Sequence, residues 1–156
     1  MINIYDNFIE SEECIEFYNY CLSSSYHYGE VDDYGLPPTG MVSELSIDNY
    51  WYKYFTLCIK EKCKIDNLPH RAYINLFFPH EIPYYHIDGD GITFLYYPNL
   101  EWKLNNGGET QFFINNEIKG IPPIPNRAII FAGNILHRAT SFRDTARFTL
   151  AIKYSN

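Results

Sequence analysis

The chain has 156 residues, enough for one domain with a sizeable core. Hydrophobic residues make up 46% and charged residues 20%, the balance of an ordinary globular protein. A net charge of -7, with Lys and Arg sparse and scattered, argues against nonspecific nucleic-acid binding.

The first residues, MINIYDNFIESEE, lack both a basic n-region and an apolar h-region. No run approaches the roughly 18 apolar residues of a membrane span. A reducing cytoplasm is therefore the expected compartment. Cys14, Cys21, Cys58 and Cys63 form no CxxC and sit beside no histidine at zinc-site spacing, so they read as buried free thiols. No repeat, low-complexity tract or linker interrupts the chain, which is read as one domain over residues 1–156. Residues 1–70 form a helical buttress with a loop, and residues 71–154 form a strand-rich core.

Ser11 is placed to cap a helix over Glu12 to Leu22, with Cys14, Tyr18, Cys21 and Leu22 on one face. A loop follows from Ser23 to Ser46 and contains GLPPTG, Gly35 to Gly40, which cannot be regular structure. Asp48 is placed to cap a second helix to Cys63, whose inner face carries Trp51, Phe55, Cys58, Ile59 and Lys62.

From Arg71 onward the pattern changes to short aromatic and β-branched runs, which favour strands. They are AYINLFF (72–78), YYHID (84–88), ITFLYY (92–97), TQFF (110–113), AIIF (128–131), LHRAT (136–140) and RFTLAIKY (147–154). Short strands at this spacing, punctuated by Pro, Gly and Asn, suggest a sandwich or jelly roll. Helices packed on one outer face of such a sheet system give an α+β, mainly β, architecture.

The last strand is the most informative. Phe148, Leu150, Ile152 and Tyr154 share one face and suit packing against the helices. Arg147, Thr149, Ala151 and Lys153 share the other, directed to the interior. A buried Arg is rare unless an anion pairs with it, and that anion could be a ligand.

His86-Ile87-Asp88 offers a metal-binding pair. On a strand, residues i and i+2 point the same way, so the imidazole and the carboxylate project together with Cα atoms about 7 Å apart. Such a triplet is a weak signal alone. His137, in FAGNILHRAT on a late strand, supplies a second imidazole. Two His and one carboxylate on one face of a metal is the arrangement of non-haem Fe(II) oxygenases, with the remaining positions open. His27, His70 and His80 have no ligand-type partner two residues away on a strand. Arg147 follows His137 by ten residues, a length that a two-stranded hairpin would fold back toward the metal. A guanidinium grips a carboxylate bidentately, and Thr149 on the same face adds a hydroxyl. Arg138, next to a ligand, points to the opposite face, and Arg143 belongs to an exposed turn.

This pattern of HID, distal His and RxT resembles the 2-oxoglutarate/Fe(II) oxygenase superfamily, in its prolyl 4-hydroxylase-like branch. LYYPNLEW (Leu95 to Trp102), GGETQFF (Gly107 to Phe113) and PNRAIIFAGNILHRAT resemble segments of that branch, and the resemblance covers residues 71–154. It implies a double-stranded β-helix, a cupin-like jelly roll with N-terminal helices packed on one sheet. It implies His86, Asp88 and His137 as ligands of Fe(II), and Arg147 as the residue that binds the distal carboxylate of 2-oxoglutarate. Tyr73 resembles the tyrosine that supports that carboxylate, with Thr149 as a further candidate. Trp102 and Tyr97 are candidate pocket linings. Many prolyl hydroxylases carry Lys where this chain has Arg147, which bears on the substrate and leaves the cosubstrate expectation intact.

The implied activity is hydroxylation of an unactivated C–H bond with release of succinate and CO2, with ascorbate as a supporting reductant. The expected substrate is a peptidyl residue such as proline, with loop 31–47 folding over an extended peptide. A free amino acid or other small molecule is the alternative, since the small domain has no obvious peptide-binding extension. A non-catalytic jelly-roll binding module is the third reading.

Overall fold

The computed structural model describes residues 1–155. Ten strands and two helices follow in the order β1 (Asn3–Tyr5), α1 (Ser11–Ser23), β2 (His27–Tyr28), β3 (Met41–Glu44), α2 (Tyr50–Cys63), β4 (Pro69–Phe77), β5 (Ile92–Tyr97), β6 (Thr110–Ile114), β7 (Glu117–Ile121), β8 (Arg127–Ala132), β9 (His137–Ala139) and β10 (Arg147–Tyr154). The strands form two antiparallel sheets. The large one runs β1-β8-β5-β10-β4-β3-β2 and the small one β7-β6-β9. The result is a two-layer β-sandwich with both helices on the outer face of the large sheet, as the jelly-roll expectation requires.

Each helix forms because an apolar stripe recurs at helical spacing. In α1 the buried positions are Cys14, Phe17 and Cys21, and Glu12 and Glu13 lie in the first turn, where the helix dipole favours acids. In α2 they are Trp51, Tyr52, Phe55 and Ile59. These stripes meet the outward face of β10, where Phe148, Leu150 and Ile152 are buried, together with Phe94 and Tyr96 of β5. The packing is largely aromatic: ring centroids lie 4.8 Å apart for Phe17 and Phe55, and 5.0 Å apart for Phe55 and Tyr96. A second core fills the space between the sheets, with Tyr97, Phe112, Ile129 and Phe131 at its centre.

Several local expectations are corrected. Ser11 lies inside α1, after Glu10, which makes no side-chain cap. Leu22 is 58% exposed, while Phe17 takes the central buried place. The cap of α2 is Asn49 instead of Asp48: its Oδ1 accepts from the backbone N–H of Trp51 (2.8 Å) and Tyr52 (3.4 Å). Cys58 is half-buried, and Lys62 reaches the backbone carbonyl of Phe8. The front segment is also more than helices and loop, because β1, β2 and β3 all join the large sheet. β7, an exposed hairpin partner of β6, is a further strand that alternation did not mark.

The segment 84–88 is no strand; it makes only an isolated bridge between His86 and His137. β9 and β10 are not a hairpin either. β9 pairs with β6 in the small sheet and β10 with β4 and β5 in the large one. The turn between them crosses from one layer to the other. His137 and Arg147 therefore reach one interior from opposite walls.

All four cysteines are free, with Cys14 and Cys21 buried and Cys58 and Cys63 half-buried. Among the described residues, no helix is long and apolar enough to cross a membrane.

Candidate metal centre

The three residues singled out by spacing converge between the sheets. One potential ligand atom from each of His86, Asp88 and His137 lies within 4.8 Å of the other two. Asp88 is the hub: His86 Nε2 is 3.7 Å from its Oδ1 and His137 Nε2 is 3.4 Å from its Oδ2. The Asp88 carboxylate is held further by Lys153 Nζ at 2.7 Å and by the Thr93 hydroxyl at 2.6 Å.

Backbone contacts place these side chains without a regular strand under 84–88. His86 and His137 exchange N–H to C=O bonds of 3.0 Å in both directions. The Asp88 N–H donates to Gly133 O at 2.8 Å, and the Gly133 N–H donates to Gly91 O at 2.8 Å. A Cβ at Gly133 would lie 2.8 Å from Gly89 O and 3.4 Å from the Asp88 Cβ, so only glycine lets the Asp88 segment dock there.

The two imidazoles are held differently. His137 is buried, its ring edge-on to Phe131 with centroids 4.7 Å apart, and its Nδ1 is 2.8 Å from Ile135 O. Burial pushes its pKa down to about 4, overcoming the pull of Asp88, so it stays neutral and able to ligate a metal at neutral pH. His86 is more exposed, and its Nδ1 lies 3.1 Å from Tyr84 O and 3.3 Å from Asp32 Oδ1. Burial works against the charged carboxylate of Asp88. The ammonium of Lys153 and the His137 ring outweigh it and hold the pKa below the usual carboxylate range.

Arg147 lines the same pocket, with Tyr73, Asn75, Thr110 and Thr149. It is 2% exposed. Nη1 donates to the Thr149 hydroxyl at 2.9 Å and Nη2 to the Thr110 hydroxyl at 3.1 Å, while Nε has no partner. Among the described residues no carboxylate forms an ion pair with it within 4.0 Å. A buried cation without a counter-ion costs several kcal/mol. A dicarboxylate with one end on the guanidinium would supply the missing charge. A Cβ at Gly108, whose φ is +80°, would lie 2.8 Å from Trp102 and 3.6 Å from the Arg147 Cδ. Trp102 packs against Gly108 and lines a separate cavity with Tyr18, Asn99, Asn106 and Asp144 instead of the Arg147 pocket. The Tyr97 ring stands under the guanidinium at 5.5 Å, and its hydroxyl donates to Thr110 at 2.8 Å.

Tyr73 is buried in the same pocket, opposite Ala151 in register, but it neighbours the Lys153 ammonium, whose Nζ lies 5.2 Å from the ring centroid, instead of Arg147. Arg138 points away, stacking on Tyr85 at 4.4 Å, and Arg143 bonds the carbonyl of Asn105 from an exposed turn. His27, His70 and His80 belong to no cluster of potential ligands among the described residues. Three site residues lay outside the sequence reading as functional candidates: Thr93 and Thr110, whose hydroxyls give no pattern of their own, and Asp32, in the front loop. The ammonium of Lys153 was readable only as a member of the Arg147 face.

The fold is shared with known oxygenases. No family model matches the chain, and no curated protein matches it. Solved structures do. A prolyl-4-hydroxylase from Pseudomonas putida superposes with a TM-score of 0.75 at 12% identity, covering 99% of this chain and 92% of that one. A prolyl hydroxylase from Trichoplax adhaerens, in complex with a hypoxia inducible factor oxygen degradation domain peptide fragment, gives 0.78 at 18% identity, over 99% of this chain and 83% of that one. HygX from Streptomyces hygroscopicus, with nickel and 2-oxoglutarate bound, gives 0.74 at 9% identity, over 99% and 82%. At these identities the likeness establishes the jelly-roll fold of the 2-oxoglutarate/Fe(II) oxygenases, prolyl hydroxylases among them.

Proposed function

We propose that this chain is an Fe(II)- and 2-oxoglutarate-dependent dioxygenase that hydroxylates an unactivated C–H bond, with a peptidyl residue such as proline as substrate. The observation that carries the reading is the pairing, in one pocket, of a two-His, one-carboxylate cluster with a buried guanidinium that forms no ion pair within 4.0 Å among the described residues. The donor set fits the group: one carboxylate and two imidazoles, His137 kept neutral by burial, are the facial set of non-haem iron sites.

His86, Asp88 and His137 would hold the iron, and Arg147 with Thr149 would hold the far carboxylate of 2-oxoglutarate. Bound iron would supply the oxygen chemistry, in which dioxygen gives one atom to succinate as 2-oxoglutarate loses CO2 and the other to the new hydroxyl of the substrate. The chain's own residues orient and enclose. Thr93 and Lys153 fix both oxygens of Asp88, and Thr110 and Thr149 fix the guanidinium. Phe112 and Phe131 keep water from the His137 side.

The peptide reading draws support from the peptide complex of the Trichoplax relative. Val31, Tyr34, Ile82 and Ile87 are also exposed, on the front loop and around the first ligands, where an extended chain could lie. One observation favours a small polar substrate such as a free amino acid instead. The cavity that adjoins His86 and Asp88 is lined by Glu30, Asp32, Thr39, Arg71, Asn75 and Lys153, charges of both signs.

Succinate formation with Fe(II) and 2-oxoglutarate, measured against a peptide library and a metabolite pool, tests both. Turnover on peptides is expected, with product mass raised by one oxygen. Hydroxylation of free compounds alone sinks the peptide reading. His137→Ala is expected to abolish iron binding and succinate release together, and wild-type succinate release from that variant would contradict the metal assignment.

A further inference from the structure

The geometry points to Asp32 as the positioning residue of the metal centre, a carboxylate that locks His86 and ties the front loop to the metal. The inference rests on the metal reading above. It starts from the unequal support of the two imidazoles. His137 sits on β9, pinned by a carbonyl two residues back in its own chain and by Phe131. His86 has the same kind of contact, Nδ1 to Tyr84 O at 3.1 Å, but it stands in a segment with one isolated bridge, and its side chain is 21% exposed against 6% for His137. Local structure alone holds it less firmly.

Asp32 supplies what is lacking. Its Oδ1 lies 3.3 Å from His86 Nδ1. Its Oδ2 accepts from the Tyr84 N–H at 2.8 Å and from the Thr39 hydroxyl at 3.0 Å. One side chain therefore joins three things: the imidazole, the backbone two residues before it, and the far side of its own loop. The neighbouring stretch is anchored in the same direction, since the Gly40 N–H donates to Glu81 Oε1 at 2.9 Å. The Asp32 side chain is 14% exposed, so its charge is only partly screened by water.

Acceptors at Nδ1 put the proton there. Nε2 then presents its lone pair on the side of Asp88, 3.7 Å away. A carboxylate behind a ligating imidazole fixes the ring's tautomer and direction and makes it a stronger donor to the metal. Because the same carboxylate orders the loop, metal binding and loop order stabilise each other, and linkage makes that effect reciprocal.

Titration of the purified chain with Ni(II) or Mn(II) alone, by calorimetry and without substrate, tests the proposal. Amide exchange across residues 31–40 is followed in the same samples. Asp32→Ala is expected to weaken metal binding about 10- to 100-fold. Asp32→Asn keeps an oxygen acceptor without the charge and is expected to lose less. In the wild type, metal should slow exchange in the loop; in Asp32→Ala that response should vanish. Thr39→Val removes a bond within the loop and leaves the imidazole contact, so it should speed loop exchange and, through the linkage, cost only a small part of the affinity that Asp32→Ala loses. A fall in affinity in Thr39→Val equal to that of Asp32→Ala would assign Asp32 a merely structural role and overturn the proposal. Wild-type affinity in Asp32→Ala also overturns it. If that variant does not fold, Asp32→Asn decides: a loss of about three-fold or more supports the inference and wild-type affinity overturns it. A wild-type chain that binds no divalent metal refutes the underlying metal reading, a result separate from either of these.

Discussion

The two faces of β10 make opposite use of one strand. On the helix side, Phe148, Leu150 and Ile152 join Phe17, Phe55 and Tyr96 in an aromatic and aliphatic core without a charged side chain. On the interior side, Arg147 and Thr149 carry polar groups into a pocket and Lys153 into the cavity beside it, the guanidinium buried with no ion pair within 4.0 Å among the described residues. Alternation along a strand allows this, because neighbouring side chains never share a face. The fold is thus held from the helix face, while the interior can keep groups that cost stability.

Substitutions on the two faces should separate stability from binding. The largest stability effect is expected for Phe55→Ala, which empties the centre of the helix-side core and should cost about 3–5 kcal/mol in denaturant unfolding. Metal affinity of the remaining folded protein should be close to wild type. If unfolding free energy stayed level while metal affinity collapsed, the division of labour would be wrong. Next comes Arg147→Met, which removes an unpaired buried charge at similar volume. Its unfolding free energy is expected to stay within about 1 kcal/mol of wild type or to rise, whereas a drop comparable to that of Phe55→Ala would make Arg147 a structural residue. Smallest is Leu22→Ala. Its side chain is exposed despite an inward sequence position, so the change should stay within about 0.5 kcal/mol. A larger loss would restore Leu22 to the core.

The sequence made the back half legible where strands alternate cleanly. Residues 92–97 and 147–154 fold with the expected bounds, because a one-residue slip would turn every side chain of either strand to the wrong face. It was less legible where tertiary contacts decide. His86 and Asp88 come together as the spacing suggests, yet by way of Gly133 and the backbone of His137 instead of a strand. Arg147 reaches the pocket by crossing between sheets, a route that a count of residues cannot distinguish from a hairpin. The Asn49 cap was displaced by one residue from the expected Asp48, since either side chain can cap and only backbone geometry chooses. Asp32 was beyond reach, as it meets Tyr84 across 52 positions of chain with no periodic pattern to mark it.

The central claim is that Arg147 and the His86-Asp88-His137 cluster form one site for a metal and a dicarboxylate. Anaerobic titration of 2-oxoglutarate into the Fe(II)-loaded chain, in wild type and in Arg147→Met, tests it most directly. Saturable binding that requires the metal is expected in the wild type, with affinity reduced on the order of 100-fold in Arg147→Met while iron binding persists, the loss of a charge-assisted bidentate contact. Equal 2-oxoglutarate affinity in the two proteins, or binding in the wild type that is indifferent to iron, would contradict the account.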